Sequence, residues 1–211
     1  MNETGFSDAA TTWNRRYDRP DFLFGEEPNT YLANQQELFE PGKRALAVAD
    51  GEGRNSVWLA KQGVTVDAFD ISPVAVAKAK AFAQAAGVSV EMHVCDCEAW
   101  NWQPAAYDYV VAIFVQFAHP AMRQRLFANL IATLKPGGLL ILQGYTPKQI
   151  EYKTGGPPEV SHLYTEQLLK IAFKPLELIE LVSYEAEIRE GTQHHGLSAL
   201  IGMIARKPTG E

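Results

Sequence analysis

The residues with the clearest capacity for chemistry lie in one short stretch, Ala49-Asp50-Gly51-Glu52-Gly53-Arg54-Asn55. Gly51 and Gly53 permit a tight turn and close backbone approach to a ligand, and a helix opening at Asn55 offers free N–H donors. Alone, the pattern equally describes an ordinary strand-to-helix turn. Two further acids follow at comparable places: Asp70 closes a β-rich run, and Asp96 stands between Cys95 and Cys97. A carboxylate at a strand end can accept both hydroxyls of a ribose. Asp70 serves equally well as a helix cap beside Ser72, and Asp96 either meets a base amino group or is a solvated turn acid.

Charge narrows the ligand. Gly51-x-Gly53-x-x-Ser56 approximates a dinucleotide fingerprint, but a pyrophosphate there would be brought against Asp50 and Glu52. At about 4 Å and an effective dielectric near 20, each repulsion is worth about 4 kcal/mol, and Arg54 offsets only part of it. An ammonium group would be attracted by the same acids. Phe114-Val115-Gln116-Phe117, after a later apolar run, brings no second glycine turn. The expected ligand is one nucleoside with an amino-acid tail, such as S-adenosylmethionine.

The elements that must position these residues follow from patterning. Ala45–Ala49 is uniformly apolar, as in a strand buried on both faces. A helix over Asn55–Gln62 is closed by Gly63. Val64–Asp70 is a second strand, and Ser72-Pro73 opens a helix over Val74–Ala86. Val88–Val94 and Tyr109–Val115 are the third and fourth strands. Met122, Leu126, Leu130 and Leu134 mark an amphipathic helix over 120–134. Lys135-Pro136-Gly137-Gly138 stops it before a fifth strand, Leu139–Leu142. Residues 147–160 read as a loop. Residues 182–189 alternate apolar and polar, and Leu197–Ala205 pairs with them as a hairpin. The expectation is an α/β protein: a Rossmann-like, doubly wound, mostly parallel sheet of about seven strands with a C-terminal antiparallel hairpin and helices on both faces. Ligands of such sheets bind beyond the carboxyl ends of the strands.

Bulk properties agree. The chain has 211 residues, 46% hydrophobic and 21% charged, with net charge −6. A single domain, 1–211, is expected, with 1–40 as a lid and 147–162 as a loop over the site. The acidic balance argues against a nucleic-acid partner. Apolar runs are too short to span a membrane, and there is no signal-peptide pattern. Two cysteines make no zinc site, so no metal is expected; they read as buried or half-buried thiols of a reduced, cytoplasmic chain.

Ala45–Asn55, Phe69-Asp70-Ile71-Ser72, Cys95-Asp96-Cys97, Tyr107–Val111 and Leu134–Gly138 together resemble the ordered motifs of class I S-adenosylmethionine-dependent methyltransferases. Trp13-Asn14-x-Arg16-Tyr17, Phe24-Gly25-x-x-Pro28-Asn29, Tyr152-x-Thr154-Gly155-Gly156-Pro157 and Glu190-Gly191-x-x-His194-x-Gly196 resemble the small bacterial branch related to tellurite-resistance and thiopurine or thiol methyltransferases. The resemblance implies S-adenosylmethionine as cofactor, S-adenosylhomocysteine as product and a small-molecule methyl acceptor, with soft thiol, selenium or tellurium nucleophiles foremost. It implies cofactor contacts at Tyr17, Asp50, Gly51, Glu52, Gly53, Asn55, Asp70, Ile71, Ser72, Asp96, Cys97, Glu98 and Phe114. Ala47 and Ala49 depart from the superfamily pattern, where an acid and a glycine are usual.

For catalysis the resemblance places a histidine at the site, which His194 matches; an idle surface histidine pair with His195 is the competing reading. Tyr145 either faces the methyl group or packs as an edge tyrosine. His93 reads as a core strand residue, and Trp100 and Trp102 either border an adenine pocket or simply pack. A non-catalytic S-adenosylmethionine sensor and an NAD-dependent oxidoreductase are the alternatives.

Overall fold

The computed structural model describes residues 3–210. Residues 1 and 2 of the expected 1–40 lid lie outside the described part. The chain forms two compact units, residues 1–101 and 102–211. The seven-stranded sheet takes strands from the first in the order β3-β2-β1 and from the second in the order β4-β5-β7-β6.

The first unit opens with a helix that the sequence pattern did not announce, α1 (Glu3–Tyr17), followed by the single turn α2 (Thr30–Ala33). Helix α1 is mostly polar and is held through its last turns. Trp13 stacks on Tyr17 at 5.5 Å, and Tyr17 joins Leu23 and Ala75 in a buried cluster. Strands β1 (Arg44–Val48), β2 (Thr65–Asp70) and β3 (Glu91–Val94) pair in parallel, with Val48 opposite Phe69 and Asp70 opposite Val94. Between them run α3 (Arg54–Lys61) and α4 (Pro73–Ala85). Ser72 caps α4 by accepting the Ala75 N–H at 3.1 Å, as its Ser-Pro start implies.

In the second unit β4 (Tyr107–Ile113) pairs in parallel with β5 (Leu134–Tyr145), and α5 (Pro120–Thr133) connects them. Strand β5 runs through Lys135-Pro136-Gly137-Gly138, where the sequence implied a turn. The register shifts between Tyr107 and Tyr109 absorb that segment as a bulge. A side chain at Gly138 would sit 2.9 Å from the Lys135 carbonyl and 3.0 Å from that of Asp108.

The 147–160 stretch is not wholly a loop: α6 (Gln149–Tyr152) forms one turn within it. After α7 (Glu166–Ala172) come β6 (Glu177–Glu190) and β7 (His194–Arg206). These are the expected hairpin, but longer at both ends, so only residues 191–193 connect them. Glu190 therefore stands directly across from His194. The fold is the expected Rossmann-like class, a mixed sheet with a terminal antiparallel hairpin.

Candidate functional site

Strand β1 ends into Ala49, whose φ of 50° is left-handed. That conformation strains any residue with a Cβ by about 1–2 kcal/mol. Ala49 thus occupies a backbone state that glycine adopts without this cost. Gly51 (φ 60°) and Gly53 (φ 88°) continue the turn into α3. The Gly51 N–H donates to Asp70 Oδ2 at 2.9 Å, and the Ser72 N–H donates to Oδ1 at 2.9 Å, tying the β1 turn to the end of β2.

Asp50 and Asp70 carry the electrostatics of this turn. Desolvation pushes the Asp50 carboxyl up to about 7, aided by repulsion from Asp70 and opposed by the Ser56 hydroxyl, which donates to it. Burial lifts Asp70 to about 6 against the Ser72, Gly51 and Ile71 backbone donors. Both groups are held where negative charge is poorly accommodated. A void of about 10 Å³ lies against them.

Glu52 is not a free charge at this turn. It is buried, accepts the Leu23 N–H at 2.7 Å and forms an ion pair with Lys78. The charge argument against a diphosphate therefore rests on Asp50 and Asp70, because Lys78 compensates Glu52. Lys78 also donates to the carbonyls of Arg19 and Asp21, at 3.1 and 2.7 Å, and lies 5.1 Å over the Phe22 ring. Arg54 reaches the Phe24 carbonyl at 3.3 Å, and Asn55 accepts the Asn29 N–H at 2.9 Å. These contacts fasten the 17–29 segment across the turn. Tyr17 is buried with its hydroxyl over Gly51, where an added Cβ would approach it to 2.7 Å. The Ser72 hydroxyl donates to Asn14 Oδ1 at 2.6 Å. Lys78 was not legible in the sequence, since nothing separates it from Lys80 on an alanine-rich helix.

Beyond β3, Asp96 accepts the Glu98 N–H at 2.7 Å through its side chain, and its carbonyl accepts from Ala99 and Trp100. Cys95 is half-buried, while Cys97 is buried with its thiol pushed up to about 12 by desolvation and the Asp96 charge. Ile71 is half-buried and Glu98 exposed. Trp100 stacks on Phe69 at 4.6 Å. His93 is exposed rather than in the core, because β3 is the outermost strand of its unit, and it meets Trp100 edge-on at 5.3 Å.

These residues fit S-adenosylmethionine. A glycine turn under a tyrosine hydroxyl and two desolvated carboxylates suit a cationic ligand and oppose a phosphate. Among the described residues no group of three metal-ligating side chains converges.

The second unit assembles a separate aromatic cluster. Phe114, at φ 55°, follows β4 and stacks on Tyr145 at 4.7 Å. His194 stands edge-on to both rings, at 4.6 and 5.7 Å. So three sequence candidates meet here, with Phe114 beside the two catalytic candidates. His194 is buried and its Nδ1 lies 3.5 Å from Glu190 Oε2, while its neighbour His195 is exposed. Gly155 and Gly156 lie on the cluster; a Cβ at Gly155 would come 3.2 Å from the Tyr145 hydroxyl and 3.4 Å from His194 Cδ2. Gln149 bonds Thr154 and the Gly155 carbonyl, and accepts the Ala199 N–H. Buried Gln116 donates to the Tyr145 and His162 carbonyls and accepts the Tyr145 N–H. Its polarity inside Phe114–Phe117 was the available signal for that hub.

Residues 45–138 match the family model described as a methyltransferase domain. No curated protein matches the sequence. Three solved structures share the fold. One, described as "Conversion of a Disulfide Bond into a Thioacetal Group during Echinomycin Biosynthesis", has TM-score 0.76 and 16% identity over 100% of this chain and 93% of its own. TehB from Haemophilus influenzae has TM-score 0.71 and 18% identity, over 94% of this chain and 66% of its own. The N-methyltransferase NodS from Bradyrhizobium japonicum WM9, in complex with S-adenosyl-L-homocysteine, has TM-score 0.70 and 14% identity, over 94% and 98%. Residues 45–138 are thus similar to a methyltransferase domain, and the chain shares the Rossmann-like fold of these three structures.

Proposed function

We propose that the chain is an S-adenosylmethionine-dependent methyltransferase acting on a small molecule with a soft nucleophile, a thiol or a selenium or tellurium species. The observation that carries this reading is the pair Asp50 and Asp70, desolvated and lifted to about 7 and 6 beside the glycine turn. A ligand bearing ammonium and sulfonium charges relieves that strain, whereas a diphosphate adds to it. Asp50 and the Gly51–Gly53 backbone hold the amino-acid tail, and Asp70 with Ile71 and Ser72 holds the ribose. Asp96, Cys97 and Glu98 border the base, and Tyr17 closes over the turn. S-adenosylmethionine supplies an activated methyl group and leaves as S-adenosylhomocysteine. Phe114 contacts the cofactor, Tyr145 and His194 serve the acceptor, and the chain works as a single domain in the cytoplasm. Among the described residues no helix is long and apolar enough to cross a membrane.

Thermal shifts with S-adenosylmethionine, S-adenosylhomocysteine and NAD test the cofactor. Stabilisation by the first two alone is expected, and stabilisation by NAD alone would overturn the reading. Methyl release across thiols, selenite, tellurite, amines and phenols tests the reaction. Binding without turnover on any acceptor would make the chain a sensor.

A further inference from the structure

The register of the terminal hairpin sets two ionisable side chains face to face. Glu190 closes β6 and His194 opens β7 as direct cross-strand partners, both buried, with Glu190 Oε2 3.5 Å from His194 Nδ1. The tautomer of a histidine follows the partner of its other nitrogen. A carboxylate facing Nδ1 holds the proton there and leaves Nε2 basic. The ring edge that carries Nε2 also carries Cδ2, which borders Gly155 together with the Tyr145 hydroxyl. Phe114 is held at φ 55°, with its amide donating to the Gln143 carbonyl at 2.8 Å, so that its ring packs against Tyr145 and His194. An aromatic residue kept left-handed is strain of the kind that accompanies functional sites.

We propose that Glu190 is a positioning residue that holds His194 in its Nδ1–H form, so that Nε2 takes the proton of a thiol acceptor during methyl transfer. This rests on the methyltransferase reading above. The S–H bond breaks with its proton going to Nε2, and its electron pair forms the new S–CH3 bond. The pair of the methyl group's former bond stays with the departing cofactor sulfur, and the imidazolium later returns its proton to water. An alkyl thiol has a pKa near 8.5 and is mostly protonated at neutral pH, so it requires such a base. An acceptor already ionised does not. Among the described residues, the ionisable groups seen near His194 include Glu190, the Tyr145 hydroxyl and, beside Glu190, Tyr184, whose phenol is raised by burial and by Glu190.

The test compares wild type, Glu190→Gln, His194→Gln and the double variant, each checked for an unchanged far-ultraviolet spectrum. Glu190→Asp serves as the second variant if the amide impairs folding. Nitrogen NMR on the isotope-labelled chain should show a basic Nε2 at His194 in wild type and a mixture of tautomers in Glu190→Gln. Turnover of an alkyl thiol near pH 7 should fall about 10–100-fold in Glu190→Gln. Turnover of an aryl thiol with pKa below the assay pH should change little. The double variant should be no slower than His194→Gln, because Glu190 acts through it. An unchanged tautomer in Glu190→Gln, or equal losses on both thiols, overturns the proposal. A wild-type chain that binds S-adenosylmethionine yet methylates neither thiol overturns the acceptor assignment, and the tautomer measurement still decides the coupling. Absence of S-adenosylmethionine binding instead strikes the function reading.

Discussion

Replacing Asp50 by Asn should strengthen the cofactor-free fold while weakening cofactor binding. Folding moves the Asp50 carboxyl from an ordinary 3.8 to about 7. A folded-state pKa raised in this way means that the native chain holds a proton which the unfolded chain releases. The stabilisation from that proton is complete below the unfolded value and is lost as pH rises through about 7. At pH 8 the ionised carboxylate therefore costs the native state up to about 4 kcal/mol. The Asp50→Asn variant would avoid this but would accept the Ser56 hydroxyl as a neutral amide rather than as an anion, giving back about 1 kcal/mol. The net gain expected at pH 8 is about 2–3 kcal/mol. At pH 5 the native carboxyl is protonated while the unfolded one is still ionised, so the cost falls to under about 2 kcal/mol and the gap should shrink to about 1 kcal/mol or less. Urea melts of both proteins at pH 8 and pH 5, without cofactor, measure this directly. A variant no more stable at pH 8, or a gap equal at both pH values, would refute the picture of a carboxylate waiting for a cation. Calorimetry on the same variant should show weaker S-adenosylmethionine binding, the opposite sign to the stability change.

Cofactor affinity should itself depend on pH, because a cationic ligand needs Asp50 and Asp70 ionised and they sit at about 7 and 6. Between pH 8 and pH 5 the dissociation constant should rise on the order of 10²–10³-fold, and a flat profile by calorimetry would count against these groups. Ala49→Gly should relieve the left-handed strain at φ 50° and raise the melting temperature by about 2 °C, since the strain relieved outweighs the entropy added to the unfolded chain. A lower melting temperature would contradict that. Lys78→Met should cost about 3 kcal/mol by leaving Glu52 buried and unpaired. It should also open residues 17–25 to proteolysis, and a cleavage pattern like wild type would show that Lys78 does not fasten this segment.

The parts of the fold governed by local rules were legible in the sequence. Ser72-Pro73 started α4, the four-residue recurrence gave α5, the uniformly apolar Ala45–Ala49 gave β1, and the β-rich Val64–Asp70 gave β2. Where tertiary contacts override local preference, the pattern misled. Helix α1 has little apolar periodicity, and its place depends on Trp13, Asn14 and Tyr17 meeting α4 and the Gly51 turn. Pro136 and two glycines signal a turn, yet the β4 register accommodates them as a bulge inside β5. The outer β3 leaves His93 exposed, although a histidine inside a strand pattern reads as buried. Acids at strand ends were visible as residues, but not their partners. Glu52 looked like a free charge until Lys78, from α4, was found beside it. Glu190 and His194 stood only four positions apart, but their facing geometry belongs to the hairpin register.

That register has an implication for how the chain can vary. Side chains along a strand alternate sides, so sliding β7 by one position against β6 would turn His194 away from Glu190. Residues 191–193 fix the offset at this end, and Gly191, at φ 63°, provides the backbone state that so short a connection demands. Inserting or deleting a single amino acid there would part the imidazole from Glu190, while pairing with β5 holds the rest of β7 in place. This end of the ribbon is therefore less free to drift in length than surface connections usually are.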